Sequence, residues 1–134
     1  MTKLRFAARI GGALAALVLF AQPTMAQDGI DRTNDIVFAE VDGVELMLDL
    51  YTPTGATNVP VLLWAHGGGW ARGSRDGVPH LGLVPAGYAI AAIGYRLSGD
   101  AKFPAQIYDM KAAVRYLRAN AAELGLDPNR IGST

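Results

Sequence analysis

Val59 to His66 reads VPVLLWAH, an unbroken apolar run that ends on a histidine and passes into Gly67, Gly68 and Gly69. No other stretch constrains the fold as strongly. An apolar run without polar alternation suits a strand covered on both faces, and such strands belong to parallel sheets. Gly87 to Leu97, GYAIAAIGYRL, is a second run of the same kind. Parallel neighbours need a crossover between them. The intervening segment holds glycines, charges and Pro79, with room for a short helix near Gly77 to Ala86.

The flanks read differently. IVFAEVDGVELMLDLYTP, Ile36 to Pro53, predicts a hairpin turning at Asp42-Gly43, a dipeptide that tolerates the left-handed backbone of a tight turn. Val37, Ala39 and Val41 alternate with Phe38, Glu40 and Asp42 before the turn. Val44, Leu46, Leu48 and Leu50 form one apolar face after it. Gln27 to Asn34 is polar and reads as a flexible lead-in. Downstream, Ile107, Met110, Val114, Leu117, Ala121 and Leu124 recur at spacings of three and four, which is the stripe of an amphipathic helix. Pro104 suits its first turn, and Gly125 is placed to end it in a left-handed cap. LDPNR then reads as a turn and IGST as the start of another buried strand. The order is β-β-β-(α)-β-α-β, an α/β fold with a mostly parallel sheet and an antiparallel N-terminal hairpin.

The first 26 residues stand apart. Lys3, Arg5 and Arg9 precede an apolar core from Ile10 to Ala21, and Thr24 and Ala26 are small residues before Gln27. This is the pattern of a secretory signal peptide cleaved near Ala26. The apolar core is shorter than the roughly 20 residues of a stable membrane span. The expected division is a signal peptide over 1–26 and a domain over 27–134, exported to the periplasm or beyond the cell. The chain has no cysteine, which excludes a lipidated cysteine and a disulfide framework. After residue 26 there are nine basic residues against twelve acidic ones, a mildly acidic balance that gives no reason to expect nucleic acid.

Three uses of the glycine cluster compete. It could be a plain turn. It could be a phosphate cradle, since Gly67, Gly69 and Gly73 approach a dinucleotide fingerprint and Arg96 ends the next strand, where it could meet an NADP phosphate. Against that, WARGSRDG is too polar and glycine-broken to open a helix. The third use is an oxyanion hole. Acyl transfer builds negative charge on a carbonyl oxygen, and backbone N–H groups aimed at it are each worth about 3 kcal/mol. Glycine lets the backbone present those groups without a Cβ in the way.

HGGGW followed by YRLSGDAKFPAQIYDMKAAVRYLRANAAELGLDPNRIG resembles the esterase/lipase branch of the α/β-hydrolase superfamily, its feruloyl-esterase-like and hormone-sensitive-lipase-like groups above all. The resemblance covers almost all of the chain after the signal segment. It implies that the N–H groups of Gly68 and Gly69 form the oxyanion hole, beside Gly67, and that His66 orders the loop by hydrogen bonding. His66 is not the base, because that histidine comes last in the chain order of the triad. Tyr95 and Arg96 match a structural strand-end pair. Asp109 matches a helix acid with a supporting hydrogen bond, the alternative being a solvated helix face. Trp70 either lines the acyl pocket or packs beneath the loop. His80 matches no motif and reads as a loop histidine.

The resemblance also implies a G-x-S-x-G turn carrying the serine nucleophile. No such motif occurs in these residues, and Ser74, Ser98 and Ser133 all lack its context. The expectation is therefore the N-terminal, incomplete part of an exported serine ester hydrolase, inactive by itself and needing no metal or cofactor. Its partners would be a small-molecule ester, among them acylated sugars and aromatic esters, and the missing C-terminal part of its own domain. A non-catalytic small-ligand-binding remnant is the competing expectation.

Overall fold

The two apolar runs lie side by side, in parallel, within one sheet. The computed structural model describes residues 24–27 and 29–134, so the expected signal segment lies outside the described residues except for Thr24–Ala26. Among the described residues six strands order as β1-β2-β3-β5-β4-β6. They are β1 (Thr24–Gln27), β2 (Ile30–Val41), β3 (Val44–Pro53), β4 (Val59–Ala65), β5 (Ala89–Ile93) and β6 (Leu126–Ser133). One helix, α1 (Ala105–Ala119), connects β5 to β6. Among the described residues no helix is long and apolar enough to cross a membrane.

The sheet is mixed. β4 runs parallel to β5 and β6, as the unbroken runs predict. β1, β2 and β3 are antiparallel, and β3 is also antiparallel to β5, with Leu48 opposite Ile93 and Asp49 opposite Ala92. The antiparallel part is therefore wider than a hairpin. The Asp42-Gly43 turn has positive φ at both residues, 52° and 77°, the backbone that matches the twist of the strands it joins.

Alternating side chains divide the core into two layers. Leu46, Leu48 and Leu50 of β3, Val61 and Leu63 of β4, and Ala89, Ala91 and Ile93 of β5 meet Ala113, Leu117 and Ala121 on the helix side. Tyr51, Ile90 and Ala92 meet Val78 and Val84 on the other side. Each fully buried aliphatic such as Leu48, Ile90 or Leu117 contributes about 1.5–3 kcal/mol by leaving water. β5 is buried on both faces. β4 is not: Val59, Val61 and Leu63 are buried, while Leu62 and Trp64 are half-buried, because no helix covers that side among the described residues.

Several boundaries depart from expectation. Ile30 to Asn34 is strand rather than flexible lead-in, since its backbone pairs with β3 from Ile30–Pro53 to Thr33–Leu50 whatever its side chains. In β2 the buried residues are Ile36 and Phe38, and register shifts on either side carry the alternation across. The expected helix near Gly77 to Ala86 is a single 3₁₀ turn at Leu81–Leu83. α1 ends at Ala119, before Gly125, because the Asn120 side chain and N–H both return to Tyr116 O. A turn then carries the chain to Gly125 at φ 71°, closed by Leu126 N–H to Ala121 O. LDPNR lies within β6 as a bulge between Leu126, opposite Val59, and Ile131, opposite Val61. Gly132 and Ser133 are exposed rather than buried, since β6 is the edge of the described sheet.

Candidate active site

β4 and β5 end at the same level, with Ala65 opposite Ile93. Ligands of open α/β sheets bind beyond such carboxyl ends. His66 and the glycines leave β4 there; Gly94, Tyr95 and Arg96 leave β5 beside them.

The glycine loop turns through conformations that side chains oppose. Gly68, Gly69 and Gly73 have φ of 121°, 63° and 110°, and Trp70 sits at 66°. A Cβ on Gly68 would lie 2.0 Å from Arg72 O, and one on Gly73 would lie 2.4 Å from His66 Nδ1 and 2.6 Å from Gly67 O. These two glycines are required by contact as well as by φ. Left-handed backbone at a tryptophan costs on the order of 1–3 kcal/mol, so surrounding contacts must hold it. Ser98 N–H donates to Trp70 O at 2.8 Å, and the Trp70 ring meets the Tyr95 ring edge-on at 5.4 Å. Within the loop, Ala71 N–H donates to Gly68 O. The N–H groups of Gly68 and Gly69 donate to no protein acceptor among the described residues.

His66 is buried, at 7% exposure. Its ring stacks on Tyr95 with centroids 4.3 Å apart. The Tyr95 hydroxyl donates to His66 O at 2.6 Å, and burial pushes that phenol above its ordinary pKa, keeping the proton in place. The hydroxyl has one proton, so the 2.9 Å contact between His66 Nδ1 and Gly67 O is satisfied when Nδ1 carries its own hydrogen and donates it. His66 thus ties the first glycine to its own ring.

Behind this pair, Asp109 is 2% exposed. Its carboxylate accepts from Arg96 N–H at 3.0 Å, Arg96 Nε at 2.9 Å and Arg96 Nη2 at 2.7 Å. The solvated-face alternative for Asp109 is overturned. The hydrogen bonds to Asp109 raise the Arg96 pKa further, as expected for a forked, charge-assisted pair. Gln106 Nε2 donates to Ala101 O and Leu97 N–H to Asp100, closing the loop that carries Ser98.

His66, Gly67, Gly69, Trp70 and Tyr95 line one cavity of about 220 Å³ with Ala65 and Met110. Trp70 both lines this cavity and packs on Tyr95, remaining 41% exposed. A larger groove of about 370 Å³ runs along α1 past Leu63, Met110 and Ser133. It lacks the glycine donors, so the smaller cavity is the better candidate for chemistry. Among the described residues no acidic, histidine or cysteine cluster suits a metal ion. The dinucleotide alternative fails on local structure. It needs a helix opening on the glycine turn, whereas turns and bends fill the chain from Trp70 to the 3₁₀ turn.

Comparison with known proteins agrees with this geometry. The BD-FAE family profile matches residues 48–134. The chain belongs to the BD-FAE family. Among curated relatives, carboxylesterase NlhH of Mycobacterium tuberculosis is 40% identical over 84 residues, covering 60% of this chain and 26% of that protein. An arylesterase of Saccharolobus solfataricus is 30% identical over 110 residues, covering 80% of this chain and 36% of its own length. The chain therefore spans about a quarter to a third of these relatives. Esterase 2 of the planctomycete Thermogutta terrifontis superposes with a TM-score of 0.68 at 32% identity, covering 74% of this chain and 38% of the other; its solved forms include propionate-bound and butyrate-bound ones. The fold is the N-terminal part of the α/β-hydrolase fold of these esterases.

One part of the candidate site has no motif in the sequence. Arg75 returns from the glycine loop to Asp49 of β3, Nε to Oδ1 at 3.0 Å. The pair is separated by 26 positions. Its only sequence signal is a charged residue at a strand position that proves 2% exposed.

Proposed function

We propose that these residues are the N-terminal part of a secreted serine ester hydrolase and that Gly68 and Gly69 supply its oxyanion hole. The observation that carries this reading is a glycine loop at a strand carboxyl end, whose Gly67, Gly68 and Gly69 N–H groups have no protein acceptor among the described residues and whose Gly67 and Gly69 line a small cavity. Gly69 lines that cavity and Gly68, next to it in the chain, does not, so an ester carbonyl bound there would meet the Gly69 N–H first and the Gly68 N–H from the cavity's edge. As the nucleophile adds, the carbonyl electron pair moves onto oxygen and the fixed donors stabilise it without reorganising. His66 and Tyr95 hold the loop, while Trp70 and Met110 wall the acyl side. A volume near 220 Å³ suits short acyl groups, in keeping with the propionate-bound and butyrate-bound forms of the Thermogutta esterase. These residues contain no G-x-S-x-G serine, so the attacking group comes from elsewhere in the protein.

The test is hydrolysis of p-nitrophenyl acetate by the full-length gene product. Activity should be abolished by a serine-directed phosphonate. Gly69→Val, whose Cβ has open space but whose φ is strained, should lower kcat on the order of a hundredfold. Saturable ester binding without turnover would establish the binding remnant instead. Export is tested separately by fractionating cells: a periplasmic or extracellular chain beginning near Gln27 supports it, and a cytosolic chain retaining Met1 refutes it.

A further inference from the structure

Gly94 has nothing unusual in its φ, yet its missing side chain is used. A Cβ there would stand 3.2 Å from Met47 O and 3.6 Å from Arg75 Nη1. Gly94 immediately follows β5, and β5 separates β3 from β4 in the sheet. The Arg75 side chain passes over this gap to reach β3, where Nε meets Asp49 Oδ1 at 3.0 Å. Asp49 is 2% exposed, and its carboxylate also accepts from Arg32 Nη2 at 3.1 Å and from Asp35 N–H at 3.0 Å. Arg75 Nη2 contacts Asp35 Oδ1 as well. A buried carboxylate with three donors is a fixed point of the sheet.

Arg75 is two residues past Gly73, the glycine that lies against the His66 ring. The outgoing leg of the loop is fixed by β4. Trp70 at its crown is fixed by Ser98. The return leg, Arg72 to Asp76, is exposed apart from half-buried Arg75, and it has no backbone hydrogen bond to another segment among the described residues. We infer that Arg75, seated on Asp49 across the Gly94 gap, is the positioning residue that holds this return leg and thereby sets the aim of the Gly68 and Gly69 N–H groups. The inference deepens the oxyanion reading and rests on it for its kinetic consequence alone.

Arg32 provides the control, because it donates to the same carboxylate from β2 and takes no part in the loop. In the full-length gene product, Arg75→Gln should lower kcat ten- to a hundredfold with KM within about twofold, the signature of misplaced transition-state contacts. Arg75→Lys should recover part of the loss, since an ammonium reaches the carboxylate but cannot fork. Arg32→Gln should leave both constants near wild type. Amide exchange provides a readout independent of turnover. Arg75→Gln should speed exchange at Ala71 and Ser98, the two N–H groups that hold the loop, and leave β4 and β5 protected. If the wild-type protein proves inactive while these amides respond as expected, the oxyanion reading fails and the positioning role stands. Equal effects of Arg32→Gln and Arg75→Gln on kcat, or unchanged exchange at Ala71 and Ser98, would overturn the positioning role.

Discussion

β4 and β5 are parallel neighbours that end at the same level, and the chain beyond each behaves in opposite ways. Beyond β4 and buried His66 it is exposed, glycine-rich and strained, and among the described residues the N–H groups of Gly67, Gly68, Gly69 and Trp70 have no protein acceptor. Beyond β5 it is half-buried or better at Tyr95 and Arg96, with the phenol, the guanidinium and the Asp109 carboxylate all paired. The contrast shows a division of labour. One strand end displays donors, and the other holds the first in shape through Tyr95, and through Ser98 a little further on. A loop with unused hydrogen-bonding capacity is affordable only beside a neighbour that has none to spare.

Substitutions at the two ends should separate display from support. The largest effect is expected at Gly73→Ala, where strain at φ 110° adds to a Cβ only 2.4 Å from His66 Nδ1. Together these cost about 4 kcal/mol. Ester hydrolysis should fall to near background in the full-length gene product while β5 amides stay protected; near-wild-type activity would break the comparison. Next comes Asp109→Ala, which strands the Arg96 guanidinium. Losing one partner of a buried pair costs about 3 kcal/mol, here in global stability, and urea denaturation would read it. A loss below 1 kcal/mol would mean that the β5 end is not the support. Tyr95→Phe removes the donor to buried His66 O and should cost about 1–2 kcal/mol, lowering kcat more than stability.

The smallest effect should come from neither end. At the β6 bulge, Arg130 Nε and the Asn129 N–H hold the Asp127 carboxyl below its ordinary pKa. A lowered carboxyl pKa gives stability that is present above the unfolded value and lost as pH falls through the folded one. Asp127→Asn should therefore lower stability slightly at neutral pH and leave it unchanged in strong acid, so that the acid limb of the stability–pH curve flattens, while neutral-pH kinetics stay as they are. A change in kcat at neutral pH would extend the site to β6.

Legibility in the sequence followed periodicity. GYAIAAIGYRL was readable outright, its strand β5 being buried on both faces. VPVLLWAH, the Asp42-Gly43 hairpin and α1 were readable as elements but not in every face. Leu62 and Trp64 are only half-buried, and β2 buries Ile36 and Phe38 rather than Val37 and Ala39. α1 buries Gln106, Asp109, Ala113 and Leu117, while Ile107, Met110 and Val114 of the expected stripe are half-buried. Arg32 and Thr33 were not readable as strand, since backbone pairing with β3 places them there and their side chains carry no signal. The C-terminal end of α1 and the bulge in β6 depend on local hydrogen bonds, donated by Asn120 to Tyr116 O and accepted by the Asp127 carboxylate from Asn129 N–H and Arg130 Nε. At the site, the histidine, glycines, tryptophan, tyrosine and helix acid were legible as a motif. Gly73 was visible, but the His66 ring behind it was not. Asp49 and Arg75 are unremarkable apart; only the sheet order β3-β5-β4 makes them neighbours across a glycine.

Trp70 has an optical consequence. The chain has two tryptophans, and the other, Trp64, is half-buried on β4. Trp70 is partly in solvent, lies edge-on to Tyr95 and shares its peptide carbonyl with Ser98. Its emission should therefore follow the shape of the donor loop directly. With Trp64→Phe as background, Trp70 is the one remaining indole of these 134 residues, and the difference between that protein and the same protein with Trp70→Phe would report an ester arriving at the loop without any label.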